Sequence, residues 1–355
     1  MILGGSWLRA LSMAAPVSDD PFLAAVQAAL PQHGFWQAPV VIGASGGADS
    51  TALLVALAAL GTVSDGTAGL VVAHAEYDIR PEAAGDRDFV AALAEGLGQR
   101  FMNQRLVVRE DEGHPRGEGL EARARRLRYQ FFTDVARETG SRHVVVAHTA
   151  DDQAETILQR ILRGTGVAGL AGMAVARELC DGIALIRPLL GIRGVQVREW
   201  LLGKGHRWCE DATNRDTRHT RNFLRHEIIR RCAEGPYPAV VEALERLGSQ
   251  AAGVSAALAS AADYLLDRYA SRTPNGSIMI DTATLATLDR HLVAEAMAAL
   301  WRREGWARRD MAARHYERLV DMVRTVADTS VAAAIDLPGG VHATVAARRW
   351  IELRP

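Results

Sequence analysis

The sequence predicts an α/β protein: a doubly wound, parallel five-stranded sheet followed by a smaller, mainly helical domain. Three observations carry that reading. From Pro39 to about Arg207, short β-rich runs alternate with longer helical patterns, as βαβ units require. The alternation stops at Glu234-Gly-Pro-Tyr-Pro238, where two prolines flank a tyrosine. The chain has 355 residues, more than the roughly 250 at which a single core stops growing. The expected division is a loose extension over 1–20, a first domain over 21–234 and a second over 235–355.

In chain order, the β-rich runs lie at 40–44, 69–75, 101–108, 143–147 and 183–188. Helical patterns separate or follow them at 48–60, 82–98, 119–139, 151–163 and 194–202. In such a sheet ligands bind outside the carboxyl ends of the strands, so the loops after Ala44, Ala75 and Ala147 should gather the chemistry. Beyond the break, Val241, Leu244, Leu247, Leu258 and Leu265 recur at helical spacing. Further helices are expected near 283–304 and 311–327, then a terminal hairpin around Gly339-Gly340.

Composition narrows the class. Hydrophobic residues make up 48% and charged residues 23%, enough to bury a core. The apolar run at 52–60 has nine residues, against the roughly 18 a membrane span needs. No membrane partner is expected. Cys180, Cys209 and Cys232 are odd in number and isolated, which fits a reducing, cytoplasmic compartment better than a disulfide framework. The net charge of -1 disfavours a uniformly basic nucleic-acid binder, yet it averages opposed segments. Between Arg187 and Cys232, 11 Lys/Arg face five Asp/Glu, a surplus of six that leaves the rest of the chain near -7. Lys204 is the only lysine; the other 40 basic residues are arginines.

The strongest local signal is Val40-Val-Ile-Gly-Ala-Ser-Gly-Gly-Ala-Asp-Ser50, a strand that enters a glycine turn and opens a helix. Gly46 and Gly47 let the backbone approach an anion, and the N–H groups through Ala48 point at it together with the helix dipole. Ser45 and Ser50 add hydroxyl donors. Asp49 beside a polyphosphate would be repelled without a cation, which makes it a candidate Mg²⁺ ligand. A Walker A loop would place lysine there, so γ-phosphate transfer is disfavoured. Read alone, the hexapeptide also suits an ordinary helix start.

Asp151, Asp152 and Glu155 follow the fourth strand at spacings of three and four, which place carboxylates on one helical face. They could hold an ammonium group or accept a proton, or simply complement the helix dipole. His74 and His148 stand at strand ends, where each could contact a nucleotide or serve the core. Arg123, Arg125, Arg126 and Arg128 cannot share one helical face, so part of that set is solvated.

Ser45-Gly-Gly-Ala-Asp-Ser50 resembles the PP-loop of the N-type ATP pyrophosphatases, Rossmann-like enzymes that cleave ATP to AMP and pyrophosphate while adenylating a substrate oxygen. Ala147-His-Thr-Ala-Asp-Asp-Gln-Ala-Glu-Thr-Ile-Leu158 and Leu162-Arg-Gly-Thr-Gly-Val-Ala-Gly-Leu-Ala-Gly-Met173 are similar to the hallmark stretch of the tRNA(Ile)-lysidine synthetases. So are His74 with Arg80-Pro-Glu-Ala-Ala84, the segment 121–129, Arg187-Pro-Leu-Leu190, and the segments 210–216 and 221–226. The resemblance runs from about residue 40 to 232 and is loose beyond.

It implies ATP and Mg²⁺ as cofactors, and isoleucine tRNA with a CAU anticodon and free L-lysine as partners. The wobble cytidine would be adenylated at O2 and then attacked by the lysine ε-amine. The implied catalytic set is Asp49, Asp151, Asp152, Glu155 and Arg128, with His74 and His148 near the nucleotide. Arg187, Asn214, Arg221, Asn222 and Arg225, on the basic stretch, would meet the RNA. A homodimer is left open. Two positions depart from the family pattern: Tyr77 and Thr149 stand where histidine is usual, which puts those two contacts in doubt. The alternative is a PP-loop tRNA thiolase or another base-modifying, adenylating enzyme. A thiolase needs cysteines, usually paired, and this chain has three isolated ones.

Overall fold

A computed structural model describes residues 19–63, 69–78, 83–108, 118–210, 220–307, 310–326, 334–347 and 349–355. Most of the expected extension over 1–20, the segment around Arg80 and Asn214 lie outside these residues. The chain divides into two compact units after Gly248.

The first unit starts with α1 (Pro21–Ala28), capped by Asp20, whose carboxylate accepts from the Phe22 and Leu23 N–H groups. Then follow β1 (Val40–Gly43), α2 (Ala48–Val63), β2 (Leu70–Tyr77), α3 (Ala83–Gly96), β3 (Arg100–Leu106), α4 (Leu120–Thr139) and β4 (His143–Val146). The unit continues with α5 (Ala150–Leu162), α6 (Val167–Leu170), β5 (Ala176–Cys180), β6 (Ile183–Ile186), α7 (Gly194–Gly203) and α8 (Thr220–Phe223). A π-helical turn (Leu224–Ile229) joins α8 to α9 (Arg230–Glu234), and α10 (Val240–Tyr269) begins in this unit.

The sheet has six strands in the order β3-β2-β1-β4-β6-β5. Five are parallel, as the sequence predicts; the sixth, β5, runs antiparallel to β6 at the edge. Sequence reasoning missed β5 because its pattern is short and polar, with Arg177 and Glu178 exposed. An edge strand needs only one covered face and one bonded neighbour.

Alternation along β1 makes the fold doubly wound. Val40 and Ile42 face the core built on α2, whereas Val41 faces Phe131, Phe132 and Val135 of α4. Gly43 ends the strand without a side chain because a Cβ there would stand 2.6 Å from Phe132 Cζ. α2 is apolar on all sides and buried; Ala52, Leu53, Leu54, Ala56 and Leu57 are all at 0% exposure. α7 anchors α1: the Trp200 ring stacks on Phe22 at 4.4 Å, and its Nε1–H donates to Asp20 Oδ2 at 2.9 Å.

The units part at Gly248, later than the prolines suggest. Val241, in the first turn of α10, packs with Ala150, Ala154 and Ile229, which ties the start of that helix to α5. Gly248 permits the approach, since a Cβ there would meet Ile157 Cδ1 at 2.7 Å.

The second unit holds the rest of α10, then β7 (Ala270–Arg272), β8 (Ile278–Asp281), α11 (Thr282–Leu285), α12 (Arg290–Arg303), α13 (Ala313–Val326), β9 (Ala334–Leu337), β10 (Val341–Ala347) and β11 (Trp350–Arg354). Helices dominate, as expected, and the hairpin turn carries Gly339 at φ 83° and Gly340 at φ 78°. The hairpin is part of a larger antiparallel sheet, β7-β8-β11-β10-β9. Its core gathers Trp301, Met297, Leu319, Val323, Ile351 and Leu353.

Candidate active site

The PP-loop segment sits where β1 ends and α2 begins. Gly46 has φ 91°, a conformation that disfavours any side chain. Ser50 Oγ accepts from the Ser45 N–H at 3.1 Å and donates to the Gly47 carbonyl at 3.0 Å, which fixes the turn from within. Thr51 Oγ1 and the Cys209 N–H both bond the Gly46 carbonyl, at 3.3 and 2.9 Å. The loop is therefore held in shape before any anion arrives, with its N–H groups at a helix start. Burial, reinforced by Asp86, pushes the Cys209 thiol up to about 11, so it stays protonated near neutral pH.

Asp49 lies in the first turn of α2. Its Oδ1 is buried with no hydrogen-bond partner among the described residues. Burial, and then the Asp152 charge, push its carboxyl up to about 6, against the pull of Arg198 and Arg225. A carboxylate oxygen kept waiting in this way fits a hard cation held by one side chain and substrate phosphates. No group of three His, Cys, Asp or Glu able to hold a metal occurs among the described residues.

Thr149 caps α5. Its N–H donates to Asp152 Oδ2 at 2.9 Å, and its Oγ1 accepts from the Asp152 N–H. The three carboxylates that follow do not act as one face. Asp151 turns toward α7, where Oδ1 accepts from Arg193 Nη2 at 3.1 Å and Oδ2 from the Gly194 N–H at 2.6 Å. Arg193 also bonds Glu242 of α10. Asp152 and Glu155 instead face Arg221 and Arg225. Arg221 donates to Glu155 Oε2 at 2.6 Å and to Asp152 Oδ1 at 3.0 Å, and Arg225 to the same two groups at 2.5 and 3.2 Å. Glu155 is 2% exposed.

The π turn begins directly after α8 and carries Arg225; the Arg230 N–H reaches the Arg225 carbonyl five residues back. Arg221 and Arg225, read from the sequence as RNA contacts, are thus engaged with acids of the site. Asn222 lies beside Arg221 on α8.

His74 is buried, and its Nδ1–H donates to the Ala44 carbonyl at 2.9 Å, which braces the strand end ahead of the loop. Burial lowers its pKa. Burial also pulls His148 down to about 3; Asp152 opposes this, while Arg187, Arg221 and Arg125 add to it. The imidazole is neutral at pH 7, and its Nδ1 is buried with no partner among the described residues. Arg187 is not an exposed RNA contact: it is 2% exposed and donates to the Ala174 carbonyl at 2.7 Å. Arg128 stands near the Tyr129 ring, its guanidinium carbon 5.6 Å from the centroid. Arg193 and Glu242 escaped sequence reasoning, because their partners lie 42 and 49 residues apart along the chain.

The arrangement combines an anion cradle, a cation-ready carboxylate and a neutralised quartet of two carboxylates and two guanidiniums. Comparison with known proteins identifies the family. The PP-loop domain family matches residues 23–232. A tRNA(Ile)-lysidine synthase from Rhodopirellula baltica is 32% identical, over 88% of this chain and 89% of that protein. One from Methylobacterium nodulans is 37% identical over 73% of each. One from Thermus thermophilus is 43% identical over 59% of this chain, which spans 38% of that longer protein. Among solved structures, a U34-tRNA thiolase from Methanococcus maripaludis shares the fold with a TM-score of 0.53 at 15% identity, over 64% of this chain and 77% of that one. The chain is a PP-loop protein of the tRNA(Ile)-lysidine synthase family.

Proposed function

We propose that the protein uses ATP to join free L-lysine to the wobble cytidine of an isoleucine tRNA with a CAU anticodon. The observation that carries the reading is the pairing of Asp49, with its unpartnered oxygen, and the Asp152–Glu155–Arg221–Arg225 quartet, both beyond the carboxyl ends of the adjacent strands β1 and β4. The loop from Ser45 to Ser50 receives the phosphates of ATP through backbone N–H groups. Asp49 would hold Mg²⁺, which supplies charge neutralisation for the departing pyrophosphate.

The cytidine O2 attacks the α-phosphorus and pyrophosphate leaves. The lysine ε-amine then attacks C2, loses a proton, and AMP departs with O2. The quartet suits free lysine because its charges alternate: a zwitterion can offer its carboxylate to the guanidiniums and an ammonium to the carboxylates. His148, held neutral, presents a hydrogen-bonding ring rather than a cation to the base. Arg128 is assigned to the adenylate phosphate. No helix among the described residues is long and apolar enough to cross a membrane.

The test is incubation of purified protein with Mg²⁺, ATP, labelled lysine and the CAU-anticodon tRNA. Label should enter RNA with stoichiometric AMP and pyrophosphate. Label that stays out of RNA while the tRNA is bound would sink the reading.

A further inference from the structure

The phosphate loop carries no cation of its own: residues 43–51 contain neither lysine nor arginine. ATP with one divalent ion is still an anion, and the pyrophosphate it gives up gathers further charge, so a fixed cation at the loop would stabilise its departure. After burial, the charges that bear on Asp49 are Asp152, Arg198, Arg225 and Asp151. Two of these are guanidiniums, and Arg225 is committed to Glu155 and Asp152. Arg221 is committed to the same two acids, and Arg193 to Asp151 and Glu242. Arg198 alone of these four arginines has no carboxylate within ion-pair distance among the described residues, and it is exposed.

The helix that carries Arg198 sets its place. On α7, Val197 and Leu201 are both at 0% exposure and join the core built on α2, and Ala48, where the loop opens that helix, packs against the same core. Arg198 follows Val197, so its side chain leaves α7 at the rim of this packed face. It runs back toward the start of the helix, as helical side chains do. A Cβ on Gly194 would stand 3.4 Å from Arg198 Nη1 and 3.3 Å from Asp151 Oδ2, so the bare backbone there makes room for both groups. Asp151 bonds Arg193 and the Gly194 N–H instead, and draws Arg198 by its charge alone. The Ala150 N–H donates to the Ile192 carbonyl at 3.0 Å, which ties the start of α5 to the turn that enters α7.

The free guanidinium is therefore on a helix packed against α2 and bonded to the start of α5. In the reading above, the α-phosphorus meets the cytidine oxygen at the quartet, and the β- and γ-phosphates lie over the loop beside Asp49. That end of the nucleotide is the one a cation at the α2–α7 rim can meet. A guanidinium suits it, since its planar fork bonds two phosphate oxygens at once and keeps its protons throughout.

We propose that Arg198 is a further catalytic residue, which grips the β- and γ-phosphates of ATP and neutralises the pyrophosphate as it leaves. When the bond from the α-phosphorus to the bridging oxygen breaks, its electron pair stays with pyrophosphate, and Arg198 stabilises that charge by hydrogen bonding without giving up a proton. A lysine within the loop does comparable work in a Walker A motif. The proposal rests on the ATP step of the reading above and on neither its lysine nor its tRNA step.

The test measures the affinity of wild type and Arg198→Ala for ATP, inorganic pyrophosphate and AMP, by equilibrium dialysis with Mg²⁺. Arg198→Ala should bind ATP and pyrophosphate about tenfold more weakly, the worth of one charge-assisted pair, and AMP within about twofold of the wild type. Arg198→Lys keeps the charge but loses the fork, and should recover part of the loss. Both variants should melt within about 2 °C of the wild type, because the exposed side chain bonds nothing in the fold. Equal losses for ATP and AMP would place Arg198 at the adenosine or the α-phosphate and overturn the proposal. Unchanged affinity for all three would leave it a solvated arginine and overturn it as well. If the wild type binds neither ATP nor pyrophosphate, the ATP reading fails and the proposal with it; if the wild type and Arg198→Ala bind both equally, the proposal alone fails. If lysine label stays out of RNA while Arg198→Ala still loses ATP and pyrophosphate, the grip stands and the lysine reading fails.

Discussion

Asp49→Asn should stabilise the protein while abolishing adenylation. In the fold this carboxyl keeps its proton up to about pH 6, whereas in the unfolded chain it does so only to its ordinary 3.8. Its contribution to stability is therefore fully present below pH 3.8 and is lost as pH rises through about 6. At about 1.4 kcal/mol per tenfold in proton affinity, the ionised carboxylate costs up to about 3 kcal/mol at pH 7.5. Asparagine removes the charge and keeps the shape. For a unit of this size, with about 2–4 °C per kcal/mol, the melting temperature of the first unit should rise by up to about 6–12 °C. The assay is thermal unfolding at pH 7.5 and at pH 4, without nucleotide or divalent cation, alongside pyrophosphate release. The gain should nearly vanish at pH 4, where the wild-type carboxyl is already protonated in the fold. An asparagine variant that melts at or below the wild type at pH 7.5, or one equally stabilised at pH 4, would refute the burial argument. Such a stability cost at a functional carboxylate is the expected signature of a site shaped for a ligand.

Two further predictions concern packing. Glu155→Gln leaves Arg221 and Arg225 without their buried partner; since those arginines are 36% and 38% exposed, the loss should be about 2–3 kcal/mol rather than the full value for a sealed pair. A urea midpoint shift at constant slope measures it, and a shift within error would show the quartet to be energetically idle. Gly43→Ala drives a methyl to 2.6 Å from Phe132 Cζ and 2.7 Å from Cε2, which should cost about 1–3 kcal/mol by overpacking. Phe132→Leu in the same chain should recover part of that loss, measured as the coupling in a double-mutant cycle; strict additivity would mean the contact is not the cause.

Five strands and five helices of the first unit, β1 to β4, β6, α2 to α5 and α7, were legible because each is written locally; the short α1, α6, α8 and α9 were not. Val40 to Ile42 is a β-branched run, Gly46 and Gly47 mark the turn, and α4 repeats its apolar residues with helical period before a left-handed Gly140. β5 was not legible, since an edge strand with Arg177 and Glu178 carries little of the alternation that a two-sided core imposes. Nor were β7 and β8 of the second unit. Three- and four-residue strands become strands only when a neighbour such as β11 supplies their hydrogen bonds.

The sequence by itself determined the phosphate loop, the acids of α5 and the surplus of positive charge, because loop chemistry and helical spacing act within a dozen residues. Tertiary structure alone decided what those charges meet. Asp151 and Glu155 share a helix, yet Asp151 answers to Arg193 and Glu155 to Arg221 and Arg225, partners 42, 66 and 70 residues distant. Arg187 was counted with the basic surface but is buried beside Tyr129, while Arg125 and Arg177 converge on that ring from a helix and a strand far apart in the chain. Local patterns fix which groups exist on which element. Whether a charge is neutralised, stranded or left waiting for a ligand depends on distances of a few ångströms between elements, and only the folded chain sets those.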